Sequence, residues 1–215
     1  MFDWSIITQN ADLILKGLGI TLYYTVVTTA LGLAIGLLVA LAQLARISAI
    51  SWIGLLFVEF FRNVPLLVWL LWSYYALPIF LDINISKQLA GITALSLYGA
   101  AYYAEILRAG IQTLDPGQTD AARALGMSTT QSMRRIILPQ AFRRMIPPLA
   151  GQTIIQMKNT TLLSVLTIPD LLYQAGYIAS FTYRPMEVYT AIGVVFLIIL
   201  IPSNYLARKL EAHSQ

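Results

Sequence analysis

The feature that most constrains this sequence is an apolar run from Leu18 to Leu44 that contains no charged residue. A helix needs roughly 20 consecutive apolar residues to cross the hydrocarbon of a bilayer, and this run is longer than that. The whole chain agrees, because 58% of its residues are hydrophobic and only 11% are charged, outside the range of soluble domains. The sequence therefore predicts an all-α integral membrane protein.

Four further segments resemble membrane spans, which gives about five spans in a single transmembrane domain over residues 1–215. Arg62 and Pro65 interrupt the second span, and the proline predicts a kink. The fourth is less clean because it contains Lys158 and Asn159. The stretch Leu166–Arg184 is predicted to form a short interfacial helix and a loop. The predicted spans are Leu18–Leu44, Trp52–Leu81, Leu89–Leu107, Phe142–Leu163 and Val188–Leu206.

Basic residues predict how the chain lies across the membrane, because loops rich in Lys and Arg stay in the cytoplasm. Five spans put the termini on opposite sides. With the N-terminus outside and the C-terminus cytoplasmic, only Lys16, Lys87 and Arg184 fall outside, and Lys158 lies within a span. This asymmetry explains the net charge of +4 without a nucleic-acid partner. The basic residues on the inner side are Arg46, Arg62, Arg108, Arg123, Arg134, Arg135, Arg143, Arg144, Arg208 and Lys209.

Composition also limits the chemistry of the chain. It has no cysteine, which excludes disulfides and thiolate metal or redox sites, and its one histidine, His213, lies in a polar tail. The sequence has no G-x-x-x-x-G-K-[ST] phosphate loop, so the chain cannot supply a nucleotide site of that kind. We expect no catalytic residue, no metal site and no cofactor bound by this chain.

The longest polar stretch, Leu107–Phe142, predicts two short capped helices. In the first, Asp115 is a side-chain cap, Pro116 suits the first helical position and Gln118 follows three residues after the cap. Gly126 stands where a residue just past a helix end is expected.

The second helix is predicted to begin at Ser128, because Ser128 and Gln131 repeat the pattern of cap and glutamine. It is expected to end before Pro139, because a proline ring disfavours the helical conformation of the residue that precedes it.

The first helix carries a small apolar patch of Ala121, Ala122 and Leu125 at helical spacing, flanked by Asp120 and Arg123. Small side chains allow another protein to approach closely. The alternative is that this helix lies on the bilayer surface, as basic amphipathic helices do.

The loop resembles the EAA loop of importer permeases in the ATP-binding cassette (ABC) superfamily. The matching residues are Asp120-Ala121-Ala122, then Gly126 after three residues, then Ile136 and Leu138-Pro139. The sequence departs from the family at Asp120, where Glu is usual, and at Asn63-Val64, where Gly-Thr is usual. Further stretches extend the resemblance, to the polar amino acid uptake branch, over nearly the whole chain: Glu59–Leu67, Tyr103–Ile111, Asp115–Gln118 and Lys158–Leu162.

The resemblance implies a type I ABC importer fold in a prokaryotic inner membrane, with an EAA loop at approximately residues 110–140. A coupling helix, Pro116 to Leu125, would dock on a cytoplasmic ABC ATPase dimer that uses ATP and Mg²⁺. The other implied partners are a second permease chain, the same or homologous, an external solute-binding protein and membrane lipid. The residues implied in coupling are Pro116, Gly117, Asp120, Ala121, Ala122, Leu125, Gly126 and Pro139.

Ionisable side chains within spans indicate a pathway or a functional pair, because charge is costly in lipid. Glu59 with Arg62, and Glu105 with Arg108, are spaced i, i+3 near the inner ends of their helices. Each pair can therefore neutralise itself on one helix face. We favour structural ion pairs over substrate contact for both, and keep Glu59, Arg62 and Glu105 as pathway candidates.

Lys158, Asn159, Thr160 and Thr161 lie deeper in their span and combine a cation with hydrogen-bonding groups. A zwitterionic amino acid needs acceptors for its ammonium and donors for its carboxylate, so these residues are candidate substrate ligands. Hydrogen bonding between helices is the alternative. The neutral Asn159 beside Lys158 favours an acidic or neutral amino acid over a basic one.

Tyrosines on the third span are weaker candidates to line a passage, because such clusters commonly pack between helices. They are Tyr98, Tyr102 and Tyr103. Three polar residues after the fourth span are candidates for gating the external mouth: Asp170, Tyr173 and Gln174.

The resemblance implies the permease subunit of an ATP-driven importer that moves a polar amino acid by alternating access, with glutamate, aspartate and glutamine as candidate substrates. An ion-coupled secondary carrier and a non-transporting membrane scaffold are the alternatives. Buried ionisable residues count against a scaffold, because it has little reason to carry their cost.

Overall fold

A computed structural model describes residues 3–212, apart from the side chains of residues 116, 119, 210 and 212. Over this range the chain is almost entirely helical and has no strand; His213 lies outside the described residues. The helices are α1 (Ser5–Gln9), α2 (Ala11–Gln43), α3 (Ser48–Asn63), α4 (Leu66–Leu71), α5 (Leu77–Leu81), α6 (Lys87–Gln112), α7 (Pro116–Ala124), α8 (Thr129–Ser132), α9 (Leu138–Asn159), α10 (Leu171–Thr182) and α11 (Pro185–Ala212).

Turns of a different pitch connect some of these helices without interrupting the chain's helical course. Trp72–Ala76 is a π-helical turn between α4 and α5, and Met133–Ile137 is a second one between α8 and α9. The 3₁₀ helix Thr160–Leu166 continues α9. The chain is therefore helical without a break from Thr129 to Leu166.

Helices α2 and α6 run parallel at the centre of the molecule. Tyr24 of α2 belongs to the same buried cluster as Leu95 of α6, and further along both helices Ala40 clusters with Ala104. Between these two parallel helices, α3 to α5 together return the chain from the end of α2 to the start of α6.

The contact between α2 and α6 is close because of a glycine. A Cβ placed on Gly36 would lie 2.9 Å from the carbonyl oxygen of Ala100 and 2.9 Å from the Cβ of Tyr103. Real side chains do not approach backbone atoms so closely, so no larger residue fits without a shift of α6. Small residues at a helix interface let two backbones approach in this way in membranes.

Helix α9 runs antiparallel to α6 and completes the centre. Met145 near the start of α9 lies against Gly110 near the end of α6, and Leu163, just beyond α9, lies against Gly91 near the start of α6. The direction of the chain therefore reverses between α6 and α9.

The second predicted span is broken into two arms. The helix pair Ser48–Asn63 and Leu66–Leu81 bends by 100°, because Val64 is extended at φ −108° and ψ 133°, the backbone that a following proline favours. The kink predicted at Pro65 is confirmed, but it separates α3 from α4 completely.

Length and hydropathy agree with several of the predicted spans. Within the described range, Ala11–Gln43 and Pro185–Lys209 are long and apolar enough to cross a membrane, and two bent helix pairs qualify if each is one span. The second such pair joins Thr129–Leu166 to Leu171–Thr182 with a bend of 47°. The predicted third span, Leu89–Leu107, lies within α6, which is long enough but does not meet the same test of hydropathy and charge. Its inward face is buried against α2 and α9.

Helix α10 forms the short helix that was predicted after the fourth span, and its apolar face packs against other helices. Leu171, Ala175 and Ile178 are buried in one cluster with Ile14 of α2 and Val188 of α11. The helix is therefore packed among the others, because its apolar residues recur at helical spacing on one face. By contrast, much of α11 exposes large apolar side chains, as a helix in contact with lipid or another chain does.

Replacing Gly36 by alanine is expected to destabilise the protein by about 1–3 kcal/mol, because the added methyl group meets the backbone of α6. The control is Gly19→Ala on the same helix, where a Cβ meets nothing within 4 Å. That change is expected to be neutral or to stabilise by up to roughly 1 kcal/mol. Thermal unfolding of both variants in one detergent measures the difference, and equal midpoints would contradict the close contact.

Candidate functional site

The first loop helix begins where the sequence predicts. The Asp115 carboxylate accepts a hydrogen bond of 2.8 Å from the backbone N–H of Gly117, and helix α7 starts at Pro116, whose side chain lies outside what the structure describes. The carboxylate satisfies a backbone donor that the first turn of a helix leaves free.

Gly126 ends this helix in a left-handed conformation, at φ +75°. Its N–H donates to the carbonyl oxygen of Arg123 over 2.9 Å, and the next N–H, of Met127, donates to that of Ala122 over 3.0 Å. These two bonds form a Schellman motif, which requires a residue that tolerates positive φ. The predicted end of the helix is confirmed.

The apolar patch predicted on α7 is divided by the fold. Ala122 is buried, with 1% of its surface exposed, whereas Leu125 is 80% exposed. Ala121 is exposed beside it, and Asp120 and Arg123 form an exposed ion pair at 3.8 Å. A docked protein would therefore contact Ala121 and Leu125, while Ala122 holds the helix against its own chain.

The second loop helix starts as predicted but does not end as predicted. Ser128 and Gln131 form a capping box, with each side chain bonded to the other's backbone. The helix then passes through Pro139 into α9. The π-helical turn explains this: Leu138 donates to the carbonyl of Met133, five residues back, and this wider turn accommodates a proline ring that would clash in a regular helix.

Helix α7 is attached to the membrane part through α9. The side-chain amide of Gln140 donates to the Gln118 side-chain oxygen over 3.3 Å, and Arg144 donates to the carbonyl oxygen of Thr113 over 3.2 Å. Beneath these bonds lies a buried cluster of Leu114, Ile137, Ala141 and Met145. The start of α9 is therefore in contact with both α7 and the end of α6.

The ion pair predicted between Glu59 and Arg62 is wrong. The Asn63 side-chain amide donates to the Glu59 carboxylate over 2.8 Å, and the Arg62 guanidinium lies over the Tyr102 ring, 5.2 Å from its centre. Asn63 is one turn from Glu59, at the favourable i, i+4 spacing. Tyr102, on α6, offers Arg62 the electron-rich face that a cation prefers, and the sequence around Arg62 does not reveal it.

The other predicted pair is confirmed. Arg108 donates through Nε to the Glu105 carboxylate over 3.1 Å, and a second guanidinium nitrogen contacts the same carboxylate. On the neighbouring turn of α6, the hydroxyls of Tyr98 and Tyr102 are hydrogen-bonded at 3.0 Å. Glu105, Tyr102 and Arg62 thus lie on one polar strip where α3 meets α6.

Tyr103 packs between helices instead of facing a passage. Its side chain is fully buried, and its hydroxyl lies 3.3 Å from that of Thr153 on α9. This agrees with the commoner role of tyrosines in membrane helices, and removes Tyr103 from the pathway in this conformation.

The polar residues around Lys158 do not share one environment. Lys158 is exposed and Asn159 is half-buried, whereas Thr160 is fully buried and its hydroxyl donates to the carbonyl oxygen of Met157 over 2.7 Å. The Thr161 hydroxyl donates to the Lys158 carbonyl oxygen. Lys158, Asn159 and Thr161 are therefore accessible to a ligand, while Thr160 stabilises the change from α to 3₁₀ helix.

Gln156 is a buried polar residue that the sequence pattern does not single out. Its side chain is fully buried, and its amide donates to the Thr28 hydroxyl and to the carbonyl oxygen of Leu95, both over 3.0 Å. It therefore links α9 to α2 and to α6. In the sequence, the role of Gln156 is signalled only by its position within a predicted span, one turn before Thr160.

The proposed outer gate residues lie at the start of α10. The Asp170 carboxylate accepts from the backbone N–H of Tyr173 over 2.8 Å, and Leu171 donates its N–H to the Thr21 hydroxyl over 3.1 Å. Gln174 is buried beside them. The Asp170 carboxylate thus caps α10, while the Leu171 N–H and the Gln174 side chain, which lies against Gly17, hold α10 to α2.

Three comparisons with known proteins agree with this architecture. Residues 32–213 match the family described as binding-protein-dependent transport system inner membrane component. The chain is 37% identical to the glutamate/aspartate import permease protein GltK of Escherichia coli O6:H1, over 98% of this chain and 97% of that protein. It is 36% identical to the glutamine transport system permease protein GlnP of Escherichia coli strain K12, over 98% and 96%.

The fold also matches solved transporters. A crystal structure of an amino acid ABC transporter with histidines superposes with a TM-score of 0.93 at 35% identity, over 99% of each chain. An inward-facing MetNI methionine ABC transporter superposes with a TM-score of 0.78 at 20% identity, over 96% of this chain and 98% of that one. The second likeness is one of fold alone.

Replacing Gly126 by valine is expected to strain the end of α7 by about 1–2 kcal/mol, because a side chain in left-handed backbone meets its own carbonyl. Amide exchange at Met127 should then become roughly 5- to 30-fold faster.

The matched control is Gly151→Val, at a helical glycine where a Cβ meets nothing within 4 Å. Hydrogen–deuterium exchange of the loop peptide measures both variants. Unchanged exchange at Met127 in Gly126→Val would contradict the left-handed cap.

Proposed function

Because the chain belongs to the family of binding-protein-dependent transport system inner membrane components, we propose that it is the permease subunit of an ATP-driven importer of polar amino acids. Its relatives of 36–37% identity are named as glutamate/aspartate and glutamine permeases, and the solved structure with the higher identity is an amino acid ABC transporter. The chain itself provides the path through the membrane.

The observation that carries the proposal is the continuous helix from the loop into the membrane. The segment from Thr129 to Leu166 has no break, and α7 is bonded to it through Gln118 and Gln140. When the ATPase subunits close, they would move α7, and this lever would turn the region of Lys158 with it. Alternating access follows if that rotation exposes the region first to one side of the membrane and then to the other.

The proposed partners follow from the surfaces that the chain leaves exposed. A cytoplasmic ABC ATPase dimer would dock on Ala121 and Leu125 of α7. A second permease chain, the same or homologous, would cover Lys158 and Arg62, because exposed cations within the span region are costly in lipid. An external solute-binding protein would deliver the substrate, and the N-terminus would lie outside, as the basic residues favour.

The substrate is proposed to be glutamate, aspartate or glutamine. The Lys158 ammonium is exposed and has no ion pair with a carboxylate among the residues that the structure describes. It can bind a substrate carboxylate, while Asn159 and Thr161 supply hydrogen-bonding groups beside it. The absence of an acid at 159 leaves no counter-ion for a basic side chain. Glu59 and Glu105 are occupied by Asn63 and Arg108, which makes them weaker candidates for direct contact.

The docking proposal predicts that Leu125→Asp lowers both ATPase co-purification and substrate uptake at least tenfold, because a charge replaces the exposed apolar contact of α7. Leu125→Met is the control, since it retains an apolar side chain of similar volume. Both variants should unfold at the unsubstituted temperature, because Leu125 is exposed. Uptake that survives loss of the ATPase and follows an ion gradient would support an ion-coupled carrier instead.

The substrate proposal predicts that Lys158→Gln lowers kcat/KM for glutamate about 10- to 100-fold, the range for loss of a hydrogen bond to a charged group. Uptake into proteoliposomes that contain the ATPase and the binding protein measures this. The control is Thr182→Ser at the end of α10, which keeps the hydroxyl that donates to the carbonyl oxygen of Ile178.

Asn159→Asp should lower glutamate uptake more than glutamine uptake, because the new carboxylate repels an acidic side chain. If both variants transport glutamate at the unsubstituted rate, the ligand role of this segment is wrong, although the chain can still be a permease.

A further inference from the structure

A cavity of about 870 Å³ lies between α2, α6 and α9, at the ends of these helices next to the loop. Its walls include Leu37 and Leu41 of α2, Leu107 of α6, and Phe142 and Met145 of α9. The volume lies within the range of protein sites that hold small organic ligands. Because Leu37, Leu41 and Phe142 are exposed, the cavity is open at the side of the helix bundle.

A smaller pocket of about 250 Å³ adjoins this cavity, and the two share Pro139 and Arg143. Its other polar walls are Arg135 and Gln140. Among the ion pairs of residues 3–212, Glu105 is paired with Arg108 and Asp120 with Arg123, and neither Arg135 nor Arg143 is paired with a carboxylate. Two positive charges therefore stand at one end of an apolar cavity.

We propose that these adjoining spaces bind one anionic glycerophospholipid of the inner leaflet. An acyl chain would occupy the apolar cavity, and the phosphate would lie between Arg135 and Arg143. Guanidinium groups bind phosphate oxygens with two parallel hydrogen bonds, and basic pockets between helices on the cytoplasmic side suit anionic headgroups. The choice of leaflet rests on the orientation proposed above.

The position of this site gives the lipid a regulatory role. Arg135 lies in the π-helical turn that connects α8 to α9, and Arg143 lies in α9. The apolar walls belong to α2, α6 and α9. A bound lipid would therefore contact the base of the lever together with α2 and α6, and would stiffen the segment through which a displacement of α7 passes.

The experiment uses Phe142→Trp as a fluorescent reporter in the cavity, with the protein purified together with the subunits that remain bound to it. The protein is placed in vesicles of phosphatidylcholine that contain either brominated phosphatidylcholine or brominated phosphatidylglycerol. Bromine quenches tryptophan at contact distance, so quenching beyond that of the unsubstituted chain reports lipid in the cavity. We expect brominated phosphatidylglycerol to be preferred.

The arginines are tested in the reporter background. Arg143→Gln and Arg135→Gln are each expected to reduce the preference for phosphatidylglycerol about fivefold, the contribution of one basic residue near an anionic surface. Arg208→Gln, on α11 at the same side of the molecule, is the charge-matched control and should leave it unchanged. Leu197→Trp, an exposed position on α11 with no basic residue within two turns, is the reporter control and should show no preference.

Two outcomes would overturn the proposal. Equal quenching by the two brominated lipids means that the arginines do not select a headgroup. No added quenching means that a protein segment covers the cavity. Since neither measurement depends on transport, the lipid site and the transport function can fail separately.

Discussion

The close backbone contact of α2 with α6 at Gly36 is the constraint on which the rest of this structure depends. Lipid is as apolar as leucine, so helices in a membrane associate through close packing and hydrogen bonds instead of through the hydrophobic effect. The contact at Gly36 supplies the packing, and the buried amide of Gln156 supplies hydrogen bonds from α9 to Thr28 and Leu95. Three helices are thereby packed into one unit, against which the more exposed α3 and α11 lie.

The packing of these helices matters for the cytoplasmic loop, because the loop is connected to them. A helix that ended before Pro139 would leave the loop free to move without the membrane part. The π-helical turn at Met133–Ile137 instead lets the helix continue through the proline, so that α7, α8 and α9 are connected by backbone and by the Gln118–Gln140 bond. Turns of this kind interrupt α-helices frequently at functional sites. The same turn carries Arg135, at the edge of the proposed lipid site, so coupling and lipid contact share one element.

Helix caps could be predicted from the sequence, whereas contacts between segments distant in the chain could not. The Asp115 cap and the left-handed Gly126 follow from residue types that act within one turn, and both were predicted correctly. Pro139 misled the prediction because a single π-helical turn has no compositional signal. The pairing of Glu59 with Arg62 failed because Arg62 finds an aromatic partner on another helix, which spacing along one helix does not reveal. The contacts of Gln156 likewise depend on how three helices meet.

The central claim is that loop and membrane helices move as one body when the ATPase closes. The chain contains no cysteine, so single spin labels can be attached at Ala124→Cys on α7 and Ile155→Cys on α9, both exposed. Distances are measured by electron paramagnetic resonance in the assembled transporter, without nucleotide and with a non-hydrolysable ATP analogue. The account predicts an unchanged distance from 124 to 155, and a changed distance between 155 and its counterpart in the second permease chain. A changed 124–155 distance with membrane helices that stay in place would contradict it.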